Sequence, residues 1–247
     1  MRYFIELAYF GENYHGWQNQ PDAVSVQEKL ETALGRLFQQ TVEITGAGRT
    51  DAGVHAKQIF AHFDTLENID TEQVQFKLNS MLPQDIAINN VFAVKPQAHA
   101  RFDALSRSYE YLIINKKDPF LMDRAHFIKK NLDIDKMNEA AEILKTYTNF
   151  KCFSKSRTDV KTYNCKIEQA RWEKEGDVLK FRITADRFLR NMVRAIVGSL
   201  IEIGLGKTTV ENLHKIIRSE DRSRAGTSVP AKGLYLTKVI YPNIAIE

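Results

Sequence analysis

The sequence predicts an α+β protein made of two topologically similar halves, each a β α β β α β succession whose antiparallel sheet carries two helices on one face. Three observations predict it. Strand and helix signals alternate in that order up to residue 94, and the order returns less cleanly between residues 108 and 241. The change from one succession to the next divides the chain near residue 104 into an N-terminal domain, 1–104, and a C-terminal domain, 105–247, a soft boundary because neither a sequence repeat nor a low-complexity linker marks it.

The elements follow from local pattern. Tyr3 to Phe10 alternates aromatic and apolar residues as a strand does, and the turn-forming residues after it stop the run. Ser25 with Glu28 forms a capping box ahead of Val26, Leu30, Ala33, Leu34 and Leu37, which recur at helical spacing. Val42 to Thr45 reads as a short strand, GAGRTDAGVHA as a loop, and Gln58 to Asp64 as a strand. Asp70 caps a second helix bearing Val74, Leu78, Met81 and Leu82, Pro83 stops it, and Ile86 to Val94 closes the half as a strand.

In the second half, a strand from Ser108 to Asn115 precedes a helix from Lys136 to Tyr147 and a hairpin from Lys166 to Ala185 turning at Glu-Gly-Asp. A helix from Arg187 to Ile203 with an apolar stripe comes next, then a Thr209-capped helix and a strand from Leu234 to Tyr241. The order in each half is that of the split βαβ unit of ferredoxin-like folds, whose second sheet face is open. Two such sheets set edge to edge would form one concave surface, sized for a folded RNA rather than a small metabolite.

Composition narrows the class. With 43% hydrophobic and 27% charged residues, the chain reads as a soluble globular protein. Its longest apolar stretch, MVRAIVGSLIEIGLG, carries Arg194 and Glu202 and is too short for a bilayer span. The N-terminus reads as a strand and not a signal peptide, so a cytoplasmic location is expected. Cys152 and Cys165 form neither a disulfide framework nor a zinc-ligand spacing and read as reduced, structural thiols. Charge is uneven: residues 1–104 hold 8 Lys and Arg against 13 Asp and Glu, and the remainder holds 27 against 18. A basic C-terminal half suits a polyanion, although a solvated basic face accounts for it equally well.

The segment GAGRTDAGVHA stands out, with three glycines in eight positions around Asp51. Such a backbone bends sharply and can approach a ligand closely, holding a carboxylate outward. On spacing alone, an aspartate that merely caps a turn is the commoner case. A phosphate loop is disfavoured because GxxxxGK[ST] is missing. His55 and His62 invite a metal reading, but no second carboxylate stands at a ligand spacing, so no metal is expected.

The segments YFGENYHGWQNQP, SVQEKLETAL, GAGRTDAGVHA, ARFDALSRSYEYLI, RFLRNMVRAIVGSLIEIG and AGTSVPAKGLYLTKVIY resemble, in order and over nearly the whole chain, the motifs of the tRNA pseudouridine synthase A family. The resemblance implies a two-domain, RNA-recognition-like α+β fold, a homodimer, no cofactor, and isomerisation of uridine to pseudouridine at positions 38, 39 and 40 in the anticodon stem-loop of tRNA. It implies Asp51 as nucleophile, Arg49 as the residue that displaces the base, Tyr109 as the residue stacking on the target uracil, and Arg194 as the basic partner of Asp51. The stretch FKCFSKSRTDVKTYNCKI, residues 150–167, departs from the pattern at Asn164 and Cys165.

These residue types suit the reaction. Pseudouridine formation breaks the N-glycosidic bond, turns the uracil and joins C5 to C1′, so no atom is lost and no electron changes hands. An ionised carboxylate can attack C1′ or C6, or assist a glycal intermediate. An arginine beside it favours the ionised form. The target nucleotide must leave its stack, and an aromatic ring can receive it. Two rivals stand: a non-catalytic RNA-binding module that uses Asp51 only for a turn, and a hydrolase, for which neither paired carboxylates nor metal ligands are found.

Overall fold

The computed structural model describes residues 1–155 and 160–245 of the mixed α/β chain. Its strands and helices are β1 Arg2–Tyr9, α1 Val26–Phe38, β2 Thr45–Gly46, β3 His55–Asp64, α2 Thr71–Met81, β4 Ile86–Val94, β5 Ser106–Ile114, β6 His126–Phe127, α3 Ile134–Leu144, β7 Ile167–Glu175, β8 Val178–Ala185, α4 Met192–Gly204, α5 Val210–Ser219 and β9 Leu234–Ile240. They form two compact units: Met1–Leu105 with Leu236–Glu247, and Ser106–Tyr235.

In the first unit β1 lies between β4 and β3, antiparallel to both, and β3 is also paired by β2 and by β9. Helix α1 begins where the capping box expects: the Glu28 amide donates to Ser25 Oγ at 3.0 Å, and the Ser25 amide donates to Glu28 Oε2. Asp70 caps α2 in the same way through the Gln73 amide, each cap stabilising its helix by about 1 kcal/mol. Tyr3, Ile5 and Leu7 alternate along β1 and are buried with Phe63 and Ile59 of β3, and Phe38 of α1 lies 6.0 Å from Phe63.

The opposite face of this sheet is less open than expected. Phe4, Phe60 and Phe92 from three neighbouring strands gather around Tyr241, with Tyr241 5.4 Å from Phe4 and 5.2 Å from Phe60. Phe4, at an even position of β1, is fully buried, so the strand is covered on this side as well as on the side of Tyr3, Ile5 and Leu7. The strand expected over Val42–Thr45 shrinks to Thr45–Gly46, because side chains of α1 take the main-chain groups of Ile44. Its amide donates to Glu31 Oε1 at 3.1 Å, and its carbonyl accepts from Gln27 Nε2 at 3.1 Å.

In the second unit β8 lies between β5 and β7, antiparallel to both, while β6 runs parallel to β5. Tyr111, Phe181 and Trp172 align across the three strands and are fully buried. The other face carries Glu110, Arg182, Lys180, Glu173 and Glu175, joined in an ion-pair ladder centred on Arg182. Gly176, at φ +60°, turns the β7–β8 hairpin as the Glu-Gly-Asp signal predicts. Helix α4 begins at Met192, five residues later than expected, because Asn191 takes a left-handed conformation at φ 66°. Ahead of it, the Asp186 carboxylate holds the amides of Lys166 and Arg187 at 2.7 Å. Among the described residues no helix is long and apolar enough to cross a membrane.

His62 is buried on β3, where its Nδ1 accepts the Ala100 amide at 3.1 Å. Burial first, then the Arg2 charge, hold its pKa down at about 4, and His99 beside it is lowered by the same two causes. A histidine kept neutral in the fold binds a proton more readily when unfolded, so its contribution to stability is complete above about pH 6.5 and is lost as pH falls toward 4. The thermal midpoint should therefore fall across that window by the equivalent of about 2 kcal/mol more in the wild type than in His62→Gln. Parallel midpoint-against-pH curves for the two proteins would refute this.

Candidate active site

Asp51 sits in the turn that leads from β2 into β3, and the turn is held by backbone rather than by side-chain bulk. The Val54 amide donates to the Asp51 carbonyl at 3.2 Å, and the Ala47 amide to the Phe60 carbonyl at 2.7 Å. The stretch after β1, Gly11 to Trp17, crosses directly against this turn. The Gly53 amide donates to the Tyr14 carbonyl at 3.2 Å, the Gly11 amide donates to His55 Nδ1 at 2.8 Å, and the hydroxyls of Tyr9 and Thr50 share a hydrogen bond of 2.8 Å. Phe10 stacks on the His55 ring at 4.2 Å.

This crossing leaves no room for a methyl group. A Cβ on Gly11 would stand 2.0 Å from the Val54 carbonyl oxygen, and one on Gly16, itself at φ +89°, 2.2 Å from that of Thr50. The loop glycines and those of YFGENYHGW thus form one unit of construction, with Asp51 half-buried and Arg49 exposed two residues before it. Both histidines near the loop are structural: each gives its Nδ1 to a main-chain amide. No group of three His, Cys, Asp or Glu suited to a metal occurs among the described residues.

Tyr109 and Arg194 belong to the second unit. Tyr109 is half-buried on β5, edge-on to Phe188 at 5.1 Å. Strand alternation puts it on the same face as Tyr111, whose hydroxyl donates to the Pro230 carbonyl at 2.9 Å. Burial raises the Tyr111 pKa, against a smaller lowering from the nearby Arg194 charge. In the first turn of α4, Arg194 donates Nε to the Val229 carbonyl at 2.8 Å, and the Val229 amide donates back to the Arg194 carbonyl at 3.2 Å. The segment from Gly226 to Pro230 therefore orients Tyr111 and Arg194 through consecutive carbonyls.

That segment is stitched to α4 by residues the sequence reading did not single out. A Cβ on Gly198 would lie 2.0 Å from the Thr227 carbonyl oxygen, the Gly226 amide donates to Ser199 Oγ at 2.9 Å, and Ser228 Oγ receives Asn191 Nδ2 at 2.7 Å and Arg222 Nη2 at 2.8 Å. The signal available for this was the small pair Gly198 and Ser199 inside an otherwise bulky apolar helix. In the divergent stretch 150–167, the Cys165 amide donates to the Thr148 carbonyl, and burial pushes the thiols of Cys152 and Cys165 up to about 12. Residues 156–159 of that stretch lie outside the described residues.

A glycine-built turn around Asp51, followed in the chain by a second α/β unit that carries Tyr109 and Arg194, corresponds to a known class. A family model described as tRNA pseudouridine synthase matches residues 7–103 and 140–242, and the chain belongs to that family. It is 52% identical over 242 residues to tRNA pseudouridine synthase A of Parabacteroides distasonis, an alignment that covers 98% of this chain and 96% of the relative. The protein of the same name from Bacteroides thetaiotaomicron is 53% identical over 244 residues, covering 98% of this chain and 91% of the relative. Clostridium perfringens tRNA pseudouridine synthase A 2 is 40% identical over 239 residues, covering 96% of this chain and 98% of the relative.

The crossing at Gly16 makes a specific demand. Gly16→Ala should lower the rate of pseudouridine formation at least tenfold by displacing the Thr50–Asp51 backbone. Gly176→Ala, also at positive φ but with open space around it, should cost about 1 kcal/mol of stability and no activity. Kinetics and melting of the two variants side by side check this; equal activities would show that the crossing does not position the loop.

Proposed function

We propose that this chain isomerises uridine to pseudouridine at positions 38, 39 and 40 in the anticodon stem-loop of tRNA, with Asp51 as the nucleophile. As a member of the family, it is an isomerase that forms pseudouridine in tRNA. The observation that carries the finer assignment is the Asp51 turn, fixed through its neighbours Thr50, Gly53 and Val54. A carboxylate mounted in this way can meet a nucleotide without first being ordered.

In the proposed reaction the ionised Asp51 attacks C1′ or C6, or assists formation of a glycal, as the glycosidic bond breaks. The uracil turns, C5 bonds to C1′ while any bond formed to Asp51 breaks and returns the free carboxylate, and the C5 proton passes to solvent to restore aromaticity. Arg49, exposed on the same turn, fills the space vacated by the flipped nucleotide. Tyr109 offers the ring on which the uracil stacks, an interaction of about 1 to 3 kcal/mol. Arg194 takes the cationic role, its guanidinium plane set by Val229. The conversion is redox-neutral and needs no cofactor. The proposal includes a cytoplasmic homodimer with two ferredoxin-like domains, the first carrying the nucleophile and the second the greater basic charge.

Asp51→Asn and Asp51→Ala should each abolish tritium release from 5-tritiated uridine in unmodified tRNA while binding that tRNA within about threefold of wild type. More than a few per cent of wild-type turnover in either variant would overturn the nucleophile assignment. Tight binding without release by the wild type would instead indicate a non-catalytic RNA-binding protein.

A further inference from the structure

Between β4 and β5 the chain makes a turn, His99 to Asp103, that is firmly held and yet displays an aromatic ring. His99 Nδ1 accepts the amides of Arg101 and Phe102 at 3.1 and 3.3 Å, Asp103 Oδ2 accepts the His99 amide at 2.7 Å, and the Asp103 amide closes on the His99 carbonyl at 3.1 Å. From the sheet, Arg2 Nη1 holds the Ala98 carbonyl, the Tyr241 hydroxyl holds the Ala100 carbonyl, and His62 holds the Ala100 amide. Phe102 nevertheless keeps 73% of its surface exposed.

The surroundings of that ring have a chemical character. The His99 imidazole lies 4.3 Å from it, tilted by 38°, and the Arg101 guanidinium lies 5.6 Å from its centroid. An exposed aromatic with an imidazole and a cation beside it suits a nucleobase next to a phosphate better than an apolar protein surface. The fixed turn means that little ordering entropy is lost when a base docks.

We infer that Phe102, with Arg101 beside it, is a stacking platform for an unpaired or end-of-helix base of the RNA substrate, an RNA contact additional to Arg49, Asp51, Tyr109 and Arg194. The inference rests on the tRNA substrate proposed above. The platform grips RNA and takes no part in bond making, so its loss falls on binding.

The test compares wild type, Phe102→Ala, Phe102→Leu and Phe102→Trp on one unmodified tRNA transcript, measuring Kd, KM and kcat. The exposed position leaves folding unthreatened, which melting curves check. Phe102→Ala and Phe102→Leu should each raise Kd and KM about tenfold, with the loss falling on KM rather than kcat, and Phe102→Trp should bind at least as well as wild type. Its indole fluorescence should be quenched by tRNA beyond the change seen from Trp17 and Trp172 in the wild type. A Phe102→Leu protein equal to wild type, or unchanged Kd throughout the series, would overturn the platform and leave the isomerase reading intact. So would an unchanged Kd accompanied by an altered sedimentation coefficient, which would make Phe102 a protein contact. A wild type that neither binds nor converts tRNA would overturn both readings.

Discussion

Two stretches of main chain, Gly11–Trp17 and Thr50–His55, cross with backbone directly against backbone at Gly11 and Gly16, and the architecture around Asp51 depends on that crossing. Carbonyl oxygens of Val54 and Thr50 occupy the positions that Cβ atoms on Gly11 and Gly16 would need. Backbone packed against backbone in this way has almost no freedom to slide. A protein interior is close-packed, and these contacts offer no flexible side-chain end that could yield. The Gly11 amide and the His55 ring nitrogen then complete each other's hydrogen bonding inside the fold, where leaving either unmade would be costly. The end of β1, the start of β3 and the turn carrying Asp51 consequently move as one body.

The second unit solves the same problem with a helix. Gly198 and Gly226 let the 226–230 segment lie directly on α4, and the Val229 carbonyl is brought to the Nε of Arg194. Arginine loses considerable side-chain entropy when held, and a single well-placed acceptor on its inner nitrogen sets the plane of the whole guanidinium group. In both units small residues stand where chains cross, Gly11 and Gly16 against the Thr50–Val54 turn and Gly198 and Gly226 where the 226–230 segment meets α4. Charge is treated differently on the outer sheet face, where Arg182 and its glutamates neutralise one another locally.

Much of this was legible in the residue order because it is local. Ser25 with Glu28, Asp70 and Thr209 each announce a helix start through a side chain that reaches the amide three residues on, and Gly176 announces its hairpin. The turn around Asp51 was legible through its glycine density, whereas the roles proposed for Arg49, Asp51, Tyr109 and Arg194 rest on resemblance to the family alone. What was not legible depends on distant partners. Glu31 and Gln27 occupy the groups of Ile44 that a longer β2 would have used, and Asn191 delays α4 by adopting a conformation that its residue type permits but does not require. Arg222 and Asn191 meet at Ser228 from positions far apart in the chain, so no window of sequence displays their convergence.

The last strand has a consequence for how the protein is made. Residues from Leu236 onward belong with the first unit, where β9 pairs with β3 and the Lys95 amide bonds to the Ile244 carbonyl. A ribosome delivers the first 105 residues of that unit and must then translate the whole second unit before supplying the piece that covers the β3 edge. Until then the nascent sheet presents unpaired main-chain groups to its surroundings. The N-terminal half is therefore the part synthesised first and completed last, which leaves it dependent for that interval on protection from association with other chains.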